Sequence, residues 1–153
     1  MVNQSMHVDY AVQHHFQIAS ECWSVAATMV LGVPMTVGLG RATLGPKGGL
    51  DTKPENIRLF AQDWGLREAL PRSKRWTIDE VYDLLCKHGA LYIGGSVPHG
   101  HAYVLAGMWG EGSEENTTLK VYDPHPIFGL YERTWAEMKA DWPDFMYLIL
   151  HRR

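Results

Sequence analysis

Apolar residues follow two patterns along the chain, and the pattern changes once, near residue 90. Before that point the period is helical. Cys22, Val25, Ala26 and Met29 recur at intervals of three and four, which places them on one face of a helix over 22–31, with Ser20 as its cap and Gly32 just past its end. A second helix opens at TKPE, where Thr52 and Glu55 have capping-box spacing and Pro54 suits the first turn, and it runs to Trp64 before Gly65. Thr77 and Glu80 repeat the spacing ahead of VYDLLCKH, and Gly89 marks the stop.

From Ala90 the apolar residues gather into short runs rich in β-formers: ALYIGG, AYVLAGMW, TLKVYD and, near the C-terminus, FMYLIL. The polar, Gly-containing loop GEGSEENT suits a hairpin between the second and third. Thr134 and Glu137 cap a short helix to about Lys139. Helices first and an antiparallel sheet second predict an α+β fold, with a cleft where the two halves meet. At 153 residues the chain can bury a core without metal or disulfide support, and 1–153 reads as one domain.

Composition removes several functions. Hydrophobic residues at 46% and charged residues at 20% describe a folding chain, and a formal charge of −3 gives no general reason to bind nucleic acid or an anionic membrane. The one basic run, RSKR at 72–75, reads as a solvated loop. Two cysteines, Cys22 and Cys86, are too few for a disulfide framework, which makes a reduced compartment the default. The N-terminus lacks the basic start and apolar stretch of a secretory signal, and no segment approaches the ~20 apolar residues of a membrane span. A soluble chain, cytoplasmic in its producer, is expected, with export through a specialised secretion system left open. The 16 residues before Gln17 are too few for an inhibitory pro-segment, so control is expected from delivery, a partner or the target.

Candidate chemistry begins at QIASECW. A cysteine acts as a nucleophile only as thiolate, and the N–H groups and dipole of a helix N-terminus favour that charge, so Cys22 is suitably placed. His101, heading an apolar strand in GHAYVLAG, could serve as its base, and Asp123, ending the next strand in VYDPHP, could hold the imidazole across a hairpin. The Gln17 amide could join the Cys22 N–H in binding an oxyanion. Singly, each residue has a plainer reading: a core cysteine, a surface histidine, an Asp-Pro turn. Their combination, in this chain order, is what points to catalysis.

Together, QIASECWSVAATMVL, GHAYVLAG and VYDPHP resemble the papain-like cysteine peptidases, in particular the small bacterial members, the bacteriocin-processing-like peptidases and avirulence-type effector proteases. VYDLLCKHGALYIGG resembles the helix and strand that precede the histidine in those proteins, so the likeness covers most of the chain. It implies Cys22 as nucleophile, His101 as general base and acid, Asp123 as orienting residue and Gln17 as oxyanion donor. Asp123 stands where papain itself has Asn, and Gln17 precedes Cys22 by five positions, one fewer than the subgroup's spacing. The implied activity is hydrolysis of a peptide or isopeptide bond in a protein or peptide substrate by a bacterial effector or toxin. No cofactor or metal is implied, and an immunity protein, chaperone or activating partner is expected. The same triad also serves amidases, deamidases and transglutaminase-like acyl transferases, and a catalytically silent binding module could keep the fold.

Other residues carry competing readings. His99, His101 and His125 could ligate a metal, although their spacing matches no compact zinc motif. His14 and His15 read as polar residues of the N-terminal segment, His88 as a cation in the last turn of its helix, and Cys86 as core among Val81, Leu84 and Leu85. GVPMTVGLGRATLGPKGGL fails the phosphate-loop pattern and reads as a mobile loop bordering the cleft. Trp23, beside the nucleophile, is expected to wall the cleft and touch substrate.

Overall fold

The computed structural model describes residues 5–16, 22–33, 54–70, 75–95, 101–142 and 144–153. The predicted helices stand close to their expected bounds: α1 (Cys22–Leu31), α2 (Pro54–Trp64), α3 (Ile78–His88) and α4 (Trp135–Asp141). Thr77 and Thr134 each cap their helix through a complete capping box with Glu80 and Glu137. Gly32, Gly65 and Gly89 all take positive φ just beyond their helices, as the stop signals require. Ser20 and Thr52, the other expected caps, lie outside the described residues, as do His99, residues 72–74 of the basic run and residues 34–50 of the glycine-rich stretch.

Among the described residues, seven strands form one antiparallel sheet: β1 (Met6–Asp9), β2 (Leu66–Glu68), β3 (Leu91–Gly95), β4 (His101–Gly110), β5 (Thr117–Tyr122), β6 (Leu130–Thr134) and β7 (Leu148–Arg152). The order is β2-β7-β3-β4-β5-β6, and β1 pairs with the far half of β4, Met6 opposite Gly110 and Asp9 opposite Gly107, beyond the reach of β3. Strands β1, β2 and β6 were not legible in the apolar pattern, being short or mostly polar. The expected FMYLIL strand begins only at Leu148, because the Tyr147 amide first closes a turn on the Asp144 carbonyl.

The sheet is covered on both faces. One core joins Trp23, Val25, Ala26, Met29, Phe60 and Trp64 to Tyr92, Ala102, Val104 and Leu150, and so lies under α1 and α2. The other joins Val81, Leu85, Trp135 and Met138 to Ile93, Tyr103, Leu105 and Ile149, under α3 and α4. Burial on both faces explains why AYVLAGM is continuously apolar where a half-exposed strand would alternate. The α+β expectation holds, with helices on both sides of the sheet.

Two expectations on α1 and α3 are corrected. Cys86 is exposed: it follows buried Leu85 by one residue, a rotation of about 100° that carries it off the apolar face. His88 stands with Lys87 in the last turn of α3 and stacks on His151 at 3.7 Å; partial burial, followed by the nearby His151, Lys87 and Arg67, lowers its pKa. Trp23 is buried and packs edge-on against Phe60 in the core; its burial leaves little surface for a substrate.

Candidate active site

Cys22 is the first residue of α1 and only half buried, so its sulfur sits where the helix's unpaired N–H groups gather. Antiparallel pairing then places the other two groups. Val104 lies opposite Tyr122, so Tyr103 falls opposite Asp123, and His101, two residues from Tyr103, emerges on the same side in diagonal reach of that carboxylate. His101 Nε2 donates to Asp123 at 2.9 Å from Oδ1 and 3.0 Å from Oδ2. That leaves Nδ1 as the ring nitrogen free for the Cys22 thiol, which lies close enough to raise the pKa of the ring. Cys22, His101 and Asp123 therefore come together; Gln17 lies outside the described residues.

Asp123 is 0% exposed, and further hydrogen bonds hold it. The His125 backbone N–H donates to Oδ1 at 2.8 Å and the Tyr131 hydroxyl to Oδ2 at 3.5 Å. His14 Nε2 donates to the Asp123 backbone carbonyl at 2.8 Å, its ring edge-on to Tyr122. The roles of His14 and Tyr131 had no signal in the sequence, since each depends on a strand that was not legible: β1 carries the N-terminal segment along β4, and β6 carries Tyr131 along β5. Burial, then the negative charge of Asp123, pushes Tyr131 well above the ordinary phenol range, which keeps it a donor. His125, one of the three considered as metal ligands, accepts the Ile127 N–H on Nδ1. Among the described residues no three His, Cys, Asp or Glu side chains are grouped to hold a metal ion.

The electrostatics favour the charged form of His101. Burial of the His101 ring by itself lowers its pKa; the hydrogen bonds to Asp123 and Cys22, then the charges of both, outweigh it and raise the value to about 9. The ring is thus imidazolium at neutral pH, a proton donor held by Asp123. Tyr92, fully buried on β3, is pushed well above its ordinary range by burial and then by Cys22, so it stays a neutral phenol. A thiol at a helix N-terminus, a proton donor beside it and a buried carboxylate fixing that donor can perform acyl transfer.

The raised His101 value carries a stability prediction. An unfolded histidine titrates near 6.5, so the folded protein gains stability that is complete below about pH 6.5 and lost as pH rises through about 9. The gap between those values sets a ceiling of about 3 kcal/mol. Thermal unfolding followed between pH 6 and 9.5 should show a fall in wild type that is clearly smaller in His101→Gln; equal falls would contradict the pairing.

A sheet bearing an imidazole–carboxylate pair on adjacent strands, with a cysteine at the head of the first helix, defines the papain-like cysteine peptidases. The chain belongs to the papain-like cysteine protease AvrRpt2 family, whose model matches residues 2–128. Its fold is similar to that of the peptidase domain of Streptococcus ComA, a bi-functional ABC transporter involved in a quorum-sensing pathway. That match has a TM-score of 0.59 at 15% identity and covers 92% of this chain and 98% of the other. Among curated proteins none matches the chain significantly. Among the described residues no helix is long and apolar enough to cross a membrane.

Proposed function

We propose that this cysteine peptidase cleaves a peptide or isopeptide bond through a Cys22–His101–Asp123 triad. The observation that carries the reading is a single imidazole hydrogen-bonded to Asp123 through Nε2, with the Cys22 thiol close enough to raise the pKa of the ring. The Cys22 thiolate adds to the carbonyl carbon, and the oxyanion is held by the Cys22 N–H together with the Gln17 side chain. The C–N bond then breaks as His101 gives its proton to the departing amine, leaving a thioester on Cys22. Water adds to the thioester with His101 as base, the acid product leaves, and the resting pair returns. Asp123 keeps the ring oriented and favours its charged form.

The effector or toxin role, with a protein substrate outside the producing cell and an immunity, chaperone or activating partner, rests on the sequence resemblance. Product analysis tests the reaction. Mass spectrometry of a treated peptide library should find new amino termini, with Cys22→Ala inactive and chelators without effect. A mass gain of one dalton at glutamine with the backbone intact, or exchange of an amine into that position, would replace the protease with a deamidase or transferase on the same triad.

A further inference from the structure

The N-terminal segment, residues 6–16, is tied to each element that carries a member of the triad. Strand β1 lies along β4, which His101 heads, on the edge opposite β5, since both neighbours pair with Gly107 and Gly110. Past β1 the Tyr10 N–H donates to the Ala106 carbonyl at 2.9 Å, where the β4–β5 register slips by one residue, and the Tyr10 hydroxyl donates to the Leu85 carbonyl of α3 at 2.8 Å. Tyr10 packs with the core under α3 but Val12 with the core under α1, so the chain changes face between them. It then crosses β4. His14 stands edge-on to Tyr122 of β5 at 5.2 Å, with its Nε2 2.8 Å from the Asp123 carbonyl oxygen. One residue on, the His15 N–H donates at 3.4 Å to Met29 Sδ on α1, the helix that Cys22 begins.

Asp123 is where this strap bears on the chemistry. Strand β5 ends at Tyr122, and Pro124 has no N–H to donate, so the ladder no longer sets the backbone at Asp123. Its N–H goes to the Gly129 carbonyl, its carboxylate receives His101, and its own carbonyl receives His14. A carbonyl only accepts, so His14 Nε2 carries a proton. That bond fixes the plane of the peptide between Asp123 and Pro124, and with it the direction in which the carboxylate leaves the backbone. We infer that His14 is a positioning residue of the triad: through the Asp123 carbonyl its Nε2–H sets the carboxylate, and through the carboxylate the His101 ring. The inference rests on the proposed hydrolase reading.

The test separates the donor from the ring that carries it. His14→Gln keeps an N–H at the reach of Nε2 and loses the ring, whereas His14→Phe keeps a ring against Tyr122 and Phe16 and loses the donor. On a peptide cut by the wild-type protein, chosen from a mixed library, His14→Phe should lower kcat about tenfold or more, because a misdirected base costs rate. KM should stay within about twofold, and His14→Gln should keep kcat within about threefold of wild type. Rates are taken well below every melting temperature, and His14→Leu, also without a donor, should repeat the loss seen in His14→Phe. Wild-type kcat in His14→Phe and His14→Leu, a loss confined to KM, or a His14→Gln variant as slow as His14→Phe overturns the positioning role, while Cys22-dependent cleavage leaves the hydrolase standing. Cleavage that survives Cys22→Ala, or a library left wholly uncut, overturns the hydrolase and the role of His14 with it.

Discussion

Cys22→Ala is expected to abolish peptide hydrolysis, by a factor of order 10⁴ or more, while the protein still folds. The residue stands at the first position of α1, half buried at the margin of the core, and alanine is a good helix former there, so thermal unfolding should shift little. Rate should collapse because His101 then has no nucleophile to serve. His101→Ala should lose a comparable factor, and the double variant should be no worse than either single one, since groups that act as a unit are not additive. Initial rates for the three variants decide it. Activity that persisted in Cys22→Ala and vanished with a chelator would instead favour a histidine metal site.

Asp123→Ala should be far more damaging than Asp123→Asn, and in two measurements at once. With Asp123 fully buried, alanine removes the acceptor for the His125 N–H, the Tyr131 hydroxyl and the His101 ring together. Each buried donor left without a partner costs roughly 1–3 kcal/mol, so the melting temperature should drop by several degrees. The freed ring can rotate, and the rate should fall by about 10²-fold or more. Asparagine keeps one carbonyl acceptor in the same shape, as papain's own orienting residue does, and loses the second acceptor oxygen and the charge that favours imidazolium. Its activity should lie between the two and its melting temperature near that of wild type. Rates taken well below both melting temperatures separate orientation from unfolding. Wild-type activity in Asp123→Ala would reduce Asp123 to a turn residue.

The helices were legible because their ends carry local chemistry: Thr77 with Glu80, Thr134 with Glu137, and a glycine of positive φ after each of the first three. Long central strands were legible as apolar runs. Edge and short strands were not, because MHVD, LRE and LYERT owe their conformation to a neighbour's backbone and bury few side chains. The same limit applies at the site. Cys22, His101 and Asp123 could be picked out by residue type and order, whereas His14 and Tyr131 reach Asp123 only through β1 and β6. Cys86 misled in the opposite sense, since apolar neighbours in sequence do not share its direction on the helix. Its exposure also changes what thiol chemistry can show: access alone now favours Cys86, so any preference for Cys22 must come from its charge state.

Alkylation at limiting iodoacetamide and pH 6, with the modified cysteine located by mass spectrometry, tests the Cys22–His101 ion pair most directly. Only a thiolate reacts, and an ordinary cysteine thiol is only about 0.3% ionised at that pH. The paired, half-buried Cys22 should be modified well before the exposed Cys86, and His101→Ala should remove that preference. Modification of Cys86 first, or a Cys22 rate unchanged in His101→Ala, would contradict it.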